Sequence, residues 1–83
     1  MADHPNTFHL VIASVGETLF DGAANSATVP GSAGEMTILP GHEALVTTLR
    51  PGTITVKASG ETKEFEVESG VLECSSSRVV VLL

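Results

Sequence analysis

Apolar and polar residues alternate along short stretches of this chain. The apolar residues of positions 53–58 fall on one face of an extended backbone, and threonine and lysine fall on the other. Residues 62–68 alternate in the same way, with glutamates on the polar face. Because successive side chains of a β-strand point to opposite faces, both stretches predict strands with one buried and one wet face. The Ser59-Gly60 pair between them predicts a two-residue hairpin loop.

Further short apolar stretches predict the remaining strands. They are residues 7–14, 18–20, 23–29, 36–39, 44–49, 71–74 and 78–82. No window repeats apolar residues at helical spacing for three turns, so we expect no helix longer than one or two turns. Turn signals separate the strands, namely Gly16, Asp21-Gly22, Pro30-Gly31, Pro40-Gly41 and Pro51-Gly52. Each Pro-Gly pair predicts a reversal of direction, because proline fixes φ at one corner of a turn and glycine accepts positive φ at the next.

Regularly spaced turns between period-two stretches are typical of a sandwich or a barrel. We predict an all-β fold, a two-sheet antiparallel β-sandwich, formed as a single domain by residues 1–83. The small side chains of residues 23–29 indicate close approach to another surface. The predicted core consists of Phe8, Leu10, Ile12, Phe20, Ile38, Leu39, Ile54, Val56, Phe65, Val67, Val79 and Val81.

Charge and composition exclude several classes of function. The net charge is −6, and the four lysines and arginines do not cluster, which argues against nucleic acid or an anionic membrane as a partner. The start of the chain has no basic segment followed by a long apolar one, so we expect no signal peptide. The longest apolar stretch, residues 79–83, is far too short to span a bilayer. We therefore expect a soluble intracellular protein.

The candidate chemistry is sparse. The three histidines have no second ligand at metal spacing, so we expect no metal site. Cys74 lies in an apolar stretch without a cationic neighbour, which predicts a buried, inert thiol. Residues 31–37 contain two glycines but lack the lysine of a phosphate loop. The residues thus predict a binding or structural module that is not an enzyme.

Residues 29–52 carry a motif that is specific in combination. It consists of Pro30-Gly31, the Gly34-Glu35 loop, Ile38-Leu39-Pro40-Gly41-His42, an apolar stretch at 45–49, and Leu49-Arg50-Pro51-Gly52. With this motif, and with Leu19-Phe20-Asp21-Gly22 and Gly70 in the flanks, the chain resembles the N-terminal β-sandwich domain of the epsilon subunit family of F-type ATP synthases. The resemblance covers residues 7–82. The chain departs from the family pattern at Ala33, Thr37, Glu43-Ala44 and Ser69.

The resemblance implies a function in the rotor. The family's sandwich lies at the foot of the central stalk, beside the gamma subunit and on the ring of c subunits. It couples rotation of the c-ring to ATP synthesis and performs no catalysis. The implied location is peripheral, on the cytoplasmic face of an energy-transducing membrane, with no direct membrane insertion. No cofactor is implied. The family usually continues into a two-helix hairpin, which we expect to be absent here, and we expect the isolated chain neither to bind ATP tightly nor to hydrolyse it.

The resemblance also assigns two groups of contact residues. By family position, Gly31, Ser32, Gly34 and Glu35 meet the polar loops of the c-ring, with Glu35 as the ionic contact. Ser14, His42 and Thr47 match family positions that face gamma. A different class of protein also fits the pattern, namely a free-standing β-sandwich that binds a peptide or a small ligand through its edge strands.

Overall fold

The computed structural model describes residues 6–41, 43–75 and 78–83. Within these ranges the chain forms nine strands and no helix, which confirms the all-β prediction. The strands are β1 (Phe8–Ser14), β2 (Glu17–Ala24), β3 (Ser26–Gly31), β4 (Gly34–Ile38), β5 (Leu45–Leu49), β6 (Gly52–Ala58), β7 (Glu61–Val67), β8 (Gly70–Cys74) and β9 (Arg78–Leu82). No helix among the described residues could cross a bilayer.

The strands form one continuous sheet that curls into two layers. Hydrogen-bonded neighbours follow the order β2-β1-β9-β8-β5-β3-β6-β7, and β4 pairs with β3. The first layer contains β2, β1, β9, β8 and β5, and the second contains β4, β3, β6 and β7. Gly31 of β3 pairs with Leu49 of β5 where the layers join. Among the described pairings, β1 with β9 is parallel and the others are antiparallel. The predicted β-sandwich is confirmed, with this one parallel pair added.

Alternate residues of both layers meet in a single apolar core. Nine predicted core residues are buried: Phe8, Leu10, Ile12, Ile38, Ile54, Val56, Val67, Val79 and Val81. The structure adds Ala24, Ala27, Val29, Leu49, Ala58, Leu72 and Cys74. The three small residues at positions 24, 27 and 29 are at most 1% exposed, so the predicted close approach is to the opposite layer of the same molecule.

Three predicted core residues are not fully buried. Leu39 is 54% exposed, because it follows the inward-pointing Ile38 just beyond the end of β4. Phe20 and Phe65 are half-buried and pack edge to face, with ring centroids 6.2 Å apart. They lie on β2 and β7, the two ends of the main strand order, so the pair closes the open side of the sandwich. The Nζ atom of Lys63 lies 6.0 Å from the centroid of the Phe20 ring.

Strand pairing overrides two local signals between residues 17 and 31. The predicted turn at Asp21-Gly22 is wrong, because β2 pairs with β1 through both residues and the reversal occurs at Val15-Gly16. The predicted strand at 23–29 is divided at Asn25, where the chain passes from the first layer to the second. There the backbone N–H of Asn25 donates to the carbonyl of Lys57 at 2.7 Å, and its side-chain amide donates to the carbonyl of Asn6 at 2.9 Å.

The Pro-Gly pairs behave differently from one another. Pro40-Gly41 forms the predicted turn, with φ of +82° at Gly41. Pro30-Gly31 ends β3 instead, because pairing with β4 continues as far as Gly31 with Gly34 and leaves residues 32–33 as the turn.

Pro51-Gly52 does not reverse the chain. Both β5 and β6 pair antiparallel with β3, so the backbone keeps its direction along that strand. Glycine is needed here for space, since a Cβ on Gly52 would lie 2.9 Å from the Cβ of Pro30. The predicted reversal is wrong, because a Pro-Gly pair also occurs where two backbone segments cross closely without a change of direction.

We expect Gly70→Ala to destabilise the domain by about 1–3 kcal/mol. A Cβ at Gly70 would lie 2.7 Å from the carbonyl oxygen of Leu82 and 2.9 Å from a methyl group of Leu83. The nearer atom is backbone of β9, which is held on both sides by β8 and β1, so it cannot yield easily. Urea unfolding followed by circular dichroism measures the change.

The matched control is Gly22→Ala on edge strand β2. The nearest atom to its added Cβ is a ring carbon of Phe20 at 4.0 Å, which is ordinary van der Waals contact. We expect less than about 0.5 kcal/mol there. Equal midpoints for the Gly70 variant and the parent chain would contradict the close approach of β8 and β9.

Candidate interaction surface

The first layer has a second apolar face, turned away from the core. We call the solvent side of β1, β9, β8 and β5 the outward face. Two rows of paired residues cross it. The first row is Val11, Val80, Glu73 and Val46, and the second is Ala13, Leu82, Val71 and Thr48. Six of these eight residues are apolar.

Several apolar side chains of the outward face are open to solvent. Val46 is 68% exposed, Leu82 is 57% exposed and Val71 is 41% exposed. Between the two outward rows lies a row of residues that point into the core. It contains Ile12, Val81 and Leu72, which are all 0% exposed. Strands that are apolar on both faces are typical of sheets covered on both sides, and contiguous exposed apolar residues mark contact with another molecule.

The turn at residues 31–34 is fixed against one end of the outward face. The backbone N–H and the hydroxyl of Ser32 each donate to the carbonyl oxygen of Thr48, both at 2.9 Å. The hydroxyl groups of Ser32 and Thr48 also hydrogen-bond each other. Since Thr48 ends the second row, the turn and the apolar rows form one continuous surface.

Glu35 lies on the strand that follows the turn and pairs with Pro30 of β3. It is exposed on β4, with Thr37 two residues further along the same face. That face is the solvent side of the second layer, where Thr37, Thr28, Thr55 and Glu64 are paired across four strands. Thr28 and Thr37 hydrogen-bond through their hydroxyls at 3.1 Å. Of the four residues that the resemblance assigns together, Gly31 is buried, Gly34 is half-buried, and Ser32 and Glu35 are exposed.

The residues assigned to the gamma contact are also separated. Ser14 ends β1 and Thr47 lies in β5, with β9 and β8 between their strands. Both are half-buried, and Thr47 pairs with the core residue Leu72. The Thr47 hydroxyl donates to the carbonyl of Thr48 at 3.2 Å. His42 lies outside the described residues.

Charged residues border the opposite end of the outward face. The Nε2 atom of His9 lies 2.6 Å from Oδ1 of Asp21, and the two side chains are 45% and 59% exposed. Arg78 of β9 pairs in register with His9. The surface is therefore apolar at the end near Ser32 and charged at the end near His9.

The described residues contain no group of three or more His, Cys, Asp or Glu side chains placed to hold a metal ion. Cys74 is buried, as predicted, and burial raises the pKa of its thiol, which lowers its thiolate fraction near neutral pH. The prominent feature of the described surface is thus a face for contact rather than a cluster of reactive groups.

The fold and this surface define a small β-sandwich domain with one apolar outer face. A family model described as ATP synthase, Delta/Epsilon chain, beta-sandwich domain matches residues 7–83. The chain belongs to this family of ATP synthase delta/epsilon chains. The match confirms the resemblance inferred from the Pro-Gly motif.

Curated relatives agree with the family match. The chain is 40% identical over 78 residues to an ATP synthase epsilon chain of Polaromonas naphthalenivorans, covering 93% of this chain and 56% of the relative. It is 42% identical over 77 residues to an ATP synthase epsilon chain of Bordetella petrii, covering 92% and 55%. The chain therefore spans little more than half the length of these relatives.

Solved structures share the fold at low sequence identity. One is a chain in the cryo-EM structure of the Euglena gracilis mitochondrial ATP synthase, described as OSCP/F1/c-ring in rotational state 1. It has a TM-score of 0.88 at 23% identity and covers 98% of this chain and 52% of that one. Another comes from the central stalk/c-ring structure of the Tetrahymena thermophila mitochondrial ATP synthase, with a TM-score of 0.72, 10% identity, and coverage of 89% and 60%. Both likenesses concern the fold.

Proposed function

We propose that this chain is the sandwich part of a central-stalk subunit of an F-type ATP synthase. It couples rotation of the c-ring to ATP synthesis through contacts with the gamma subunit and the ring. The proposal is carried by one observation. A domain of the epsilon family leaves an apolar sheet face open to solvent, continuous with the turn to which the family pattern assigns a partner.

The gamma subunit occupies the outward face in this proposal. A protein partner is the occupant that suits it, because the face is broad, apolar and built on rigid paired strands. Ser14 and Thr47 lie on β1 and β5, two strands that carry this face, and His42 joins them by the family pattern. The solvent side of the second layer is rich in threonine and glutamate, so it stays in water.

The c-ring contact is made by the turn and the strand that follows it. Gly31 and Gly34 hold the backbone of the turn, Ser32 is anchored to Thr48, and Glu35 offers an exposed carboxylate. Because Glu35 lies on β4 of the second layer, this element can meet the ring while the outward face of the first layer holds gamma. The subunit is non-catalytic, needs no cofactor, binds no nucleic acid, and is peripheral on the cytoplasmic face of the membrane through its complex.

The proposal is tested by binding to purified gamma subunit. Biolayer interferometry with immobilised gamma should give saturable binding of the chain, and competition with a family epsilon subunit should displace it. A free-standing peptide-binding module would instead leave gamma unbound. In that case the proposed function is wrong.

We expect Glu35→Lys to lower proton-driven ATP synthesis, while Glu35→Gln changes it only mildly. A partly exposed ion pair at an interface contributes about 0–1 kcal/mol, whereas a like charge opposed to a basic ring loop is repelled. Glu35 is exposed on β4, so both variants should fold. ATP synthesis in membrane vesicles that carry the assembled synthase measures the effect.

Glu66→Lys is the control for this comparison. It makes the same charge change on β7, where Glu66 is exposed and pairs with Thr53. It should leave synthesis unchanged. If Glu35→Lys instead loses gamma binding and keeps contact with the ring, the two surfaces are assigned the wrong way round.

A further inference from the structure

Glu73 is the one charged residue of the two rows that cross the outward face. In its row it stands between Val80 of β9 and Val46 of β5, which pair with it directly. Val71 lies two residues along the same strand face and is 41% exposed. The carboxylate is therefore placed within the apolar part of the surface rather than at its rim.

The chain supplies no cation to this carboxylate in the described structure. Its four lysines and arginines are Arg50, Lys57, Lys63 and Arg78. Lys57 and Lys63 belong to the second layer, and Arg50 follows the far end of β5. Arg78 shares the face with Glu73, but the described residues show no ion pair between the two.

Covering the outward face would remove water from Glu73. A carboxylate buried without a partner is strongly unfavourable, and a hydrogen-bonded opposite charge offsets much of that loss. Any partner whose surface is wholly apolar here would therefore bind poorly. Glu73 lies between Val46, which is exposed, and Val80, which is half-buried. This arrangement favours a partner surface that has one basic side chain surrounded by apolar ones.

We propose that the gamma surface covering the outward face presents an arginine or lysine to Glu73. This inference rests on the proposed function, since it names the chemistry of the partner at the same surface. The valine rows supply contact area but do not fix the register of a docked segment, because neighbouring apolar side chains make similar contacts. The single buried pair sets the register of the docked segment, because a displaced segment would leave two unpaired charges buried.

The experiment compares Glu73→Gln and Glu73→Val in binding to purified gamma subunit. If gamma brings a cation, both variants lose affinity, and valine loses more because it cannot accept a hydrogen bond. We expect about tenfold weaker binding for glutamine and about thirtyfold or more for valine. If gamma brings no cation, valine completes an apolar row and binding becomes tighter, which would overturn the proposal.

Two control variants test whether the loss of affinity is specific to Glu73 and to a cation from gamma. Glu64→Val makes the same change on the solvent side of the second layer and should leave gamma affinity unchanged. Arg78→Gln tests whether Arg78 turns to Glu73 on binding. If Arg78→Gln loses as much affinity for gamma as Glu73→Val does, Arg78 is the cation that pairs with Glu73. The proposal that gamma supplies the cation is then wrong.

The proposed function and the Glu73 pairing fail in different ways. If the parent chain does not bind gamma, the proposed function fails and the pairing fails with it. If the parent chain binds gamma but Glu73→Val binds more tightly, only the pairing fails. Circular dichroism of each variant establishes that it is folded, and valine is a favourable residue for a strand.

Discussion

Replacing Leu72 with alanine is expected to destabilise the domain by about 3 kcal/mol. Leu72 is 0% exposed and lies on β8 between its neighbours Val81 and Thr47, in the middle of the first layer. Truncation removes transfer energy and leaves a cavity that the paired strands on both sides cannot close. Since small domains are stable by only about 5–10 kcal/mol, this is a large share of the total. Equilibrium unfolding in urea measures it.

Val15→Ala is the control for that experiment. Val15 is 98% exposed at the tip of the β1–β2 hairpin, so truncation there should change stability by less than about 0.5 kcal/mol. Comparing the two variants tests whether burial, rather than strand propensity, determines the loss in free energy of unfolding. Comparable losses at the two positions would show that β8 is not covered by the second layer.

The double change Val46→Asp and Leu82→Asp is expected to weaken gamma binding at least about hundredfold. The two side chains are 68% and 57% exposed and lie in different rows of the outward face. Docking would bury two carboxylates among valines, whereas the free chain keeps both in water. Folding should therefore be retained while binding is lost. Biolayer interferometry with purified gamma measures the affinity, and urea unfolding checks the fold.

Thr37→Asp with Thr55→Asp is the matched control. It adds the same charge on the solvent side of the second layer, at positions in register with Thr28. We expect gamma binding close to that of the parent chain. If this control loses as much affinity as the outward-face variant, general electrostatic repulsion explains the loss, and the outward face is not the docking surface.

The alternation of apolar and polar residues is sufficient to predict most strands. Residues 53–58 and 62–68 form β6 and β7 around Ser59-Gly60, which has positive φ at both residues, as the two-residue hairpin requires. Residues 78–82 form β9 as predicted. These signals are local, because a strand needs period-two patterning and a tight hairpin needs residues that tolerate positive φ, wherever the strand lies in the fold.

The contact surface is harder to predict from the sequence. The outward face contributes Val46, Val71 and Leu82, none of which the sequence pattern places in a contact. The available signal is the uninterrupted apolar stretch at 79–83, which indicates a strand covered on both faces. The second layer covers one side of the first layer and leaves the other side open. Which side is left open depends on how the strands assemble, so the sequence pattern does not reveal it.

The sequence alone determined the strand content, the class of fold and, through the Pro-Gly motif, the family. Tertiary structure decided which turn signals act as turns. Asp21-Gly22 stays extended because β1 pairs along it, and Pro51-Gly52 marks a close crossing with Pro30 rather than a reversal. It also decided that Ser32 lies against Thr48, which is sixteen residues away in the sequence. The physical reason is the same throughout, since ladder hydrogen bonds and packing between layers join distant residues and outweigh local preferences of a few tenths of a kcal/mol to about 1 kcal/mol.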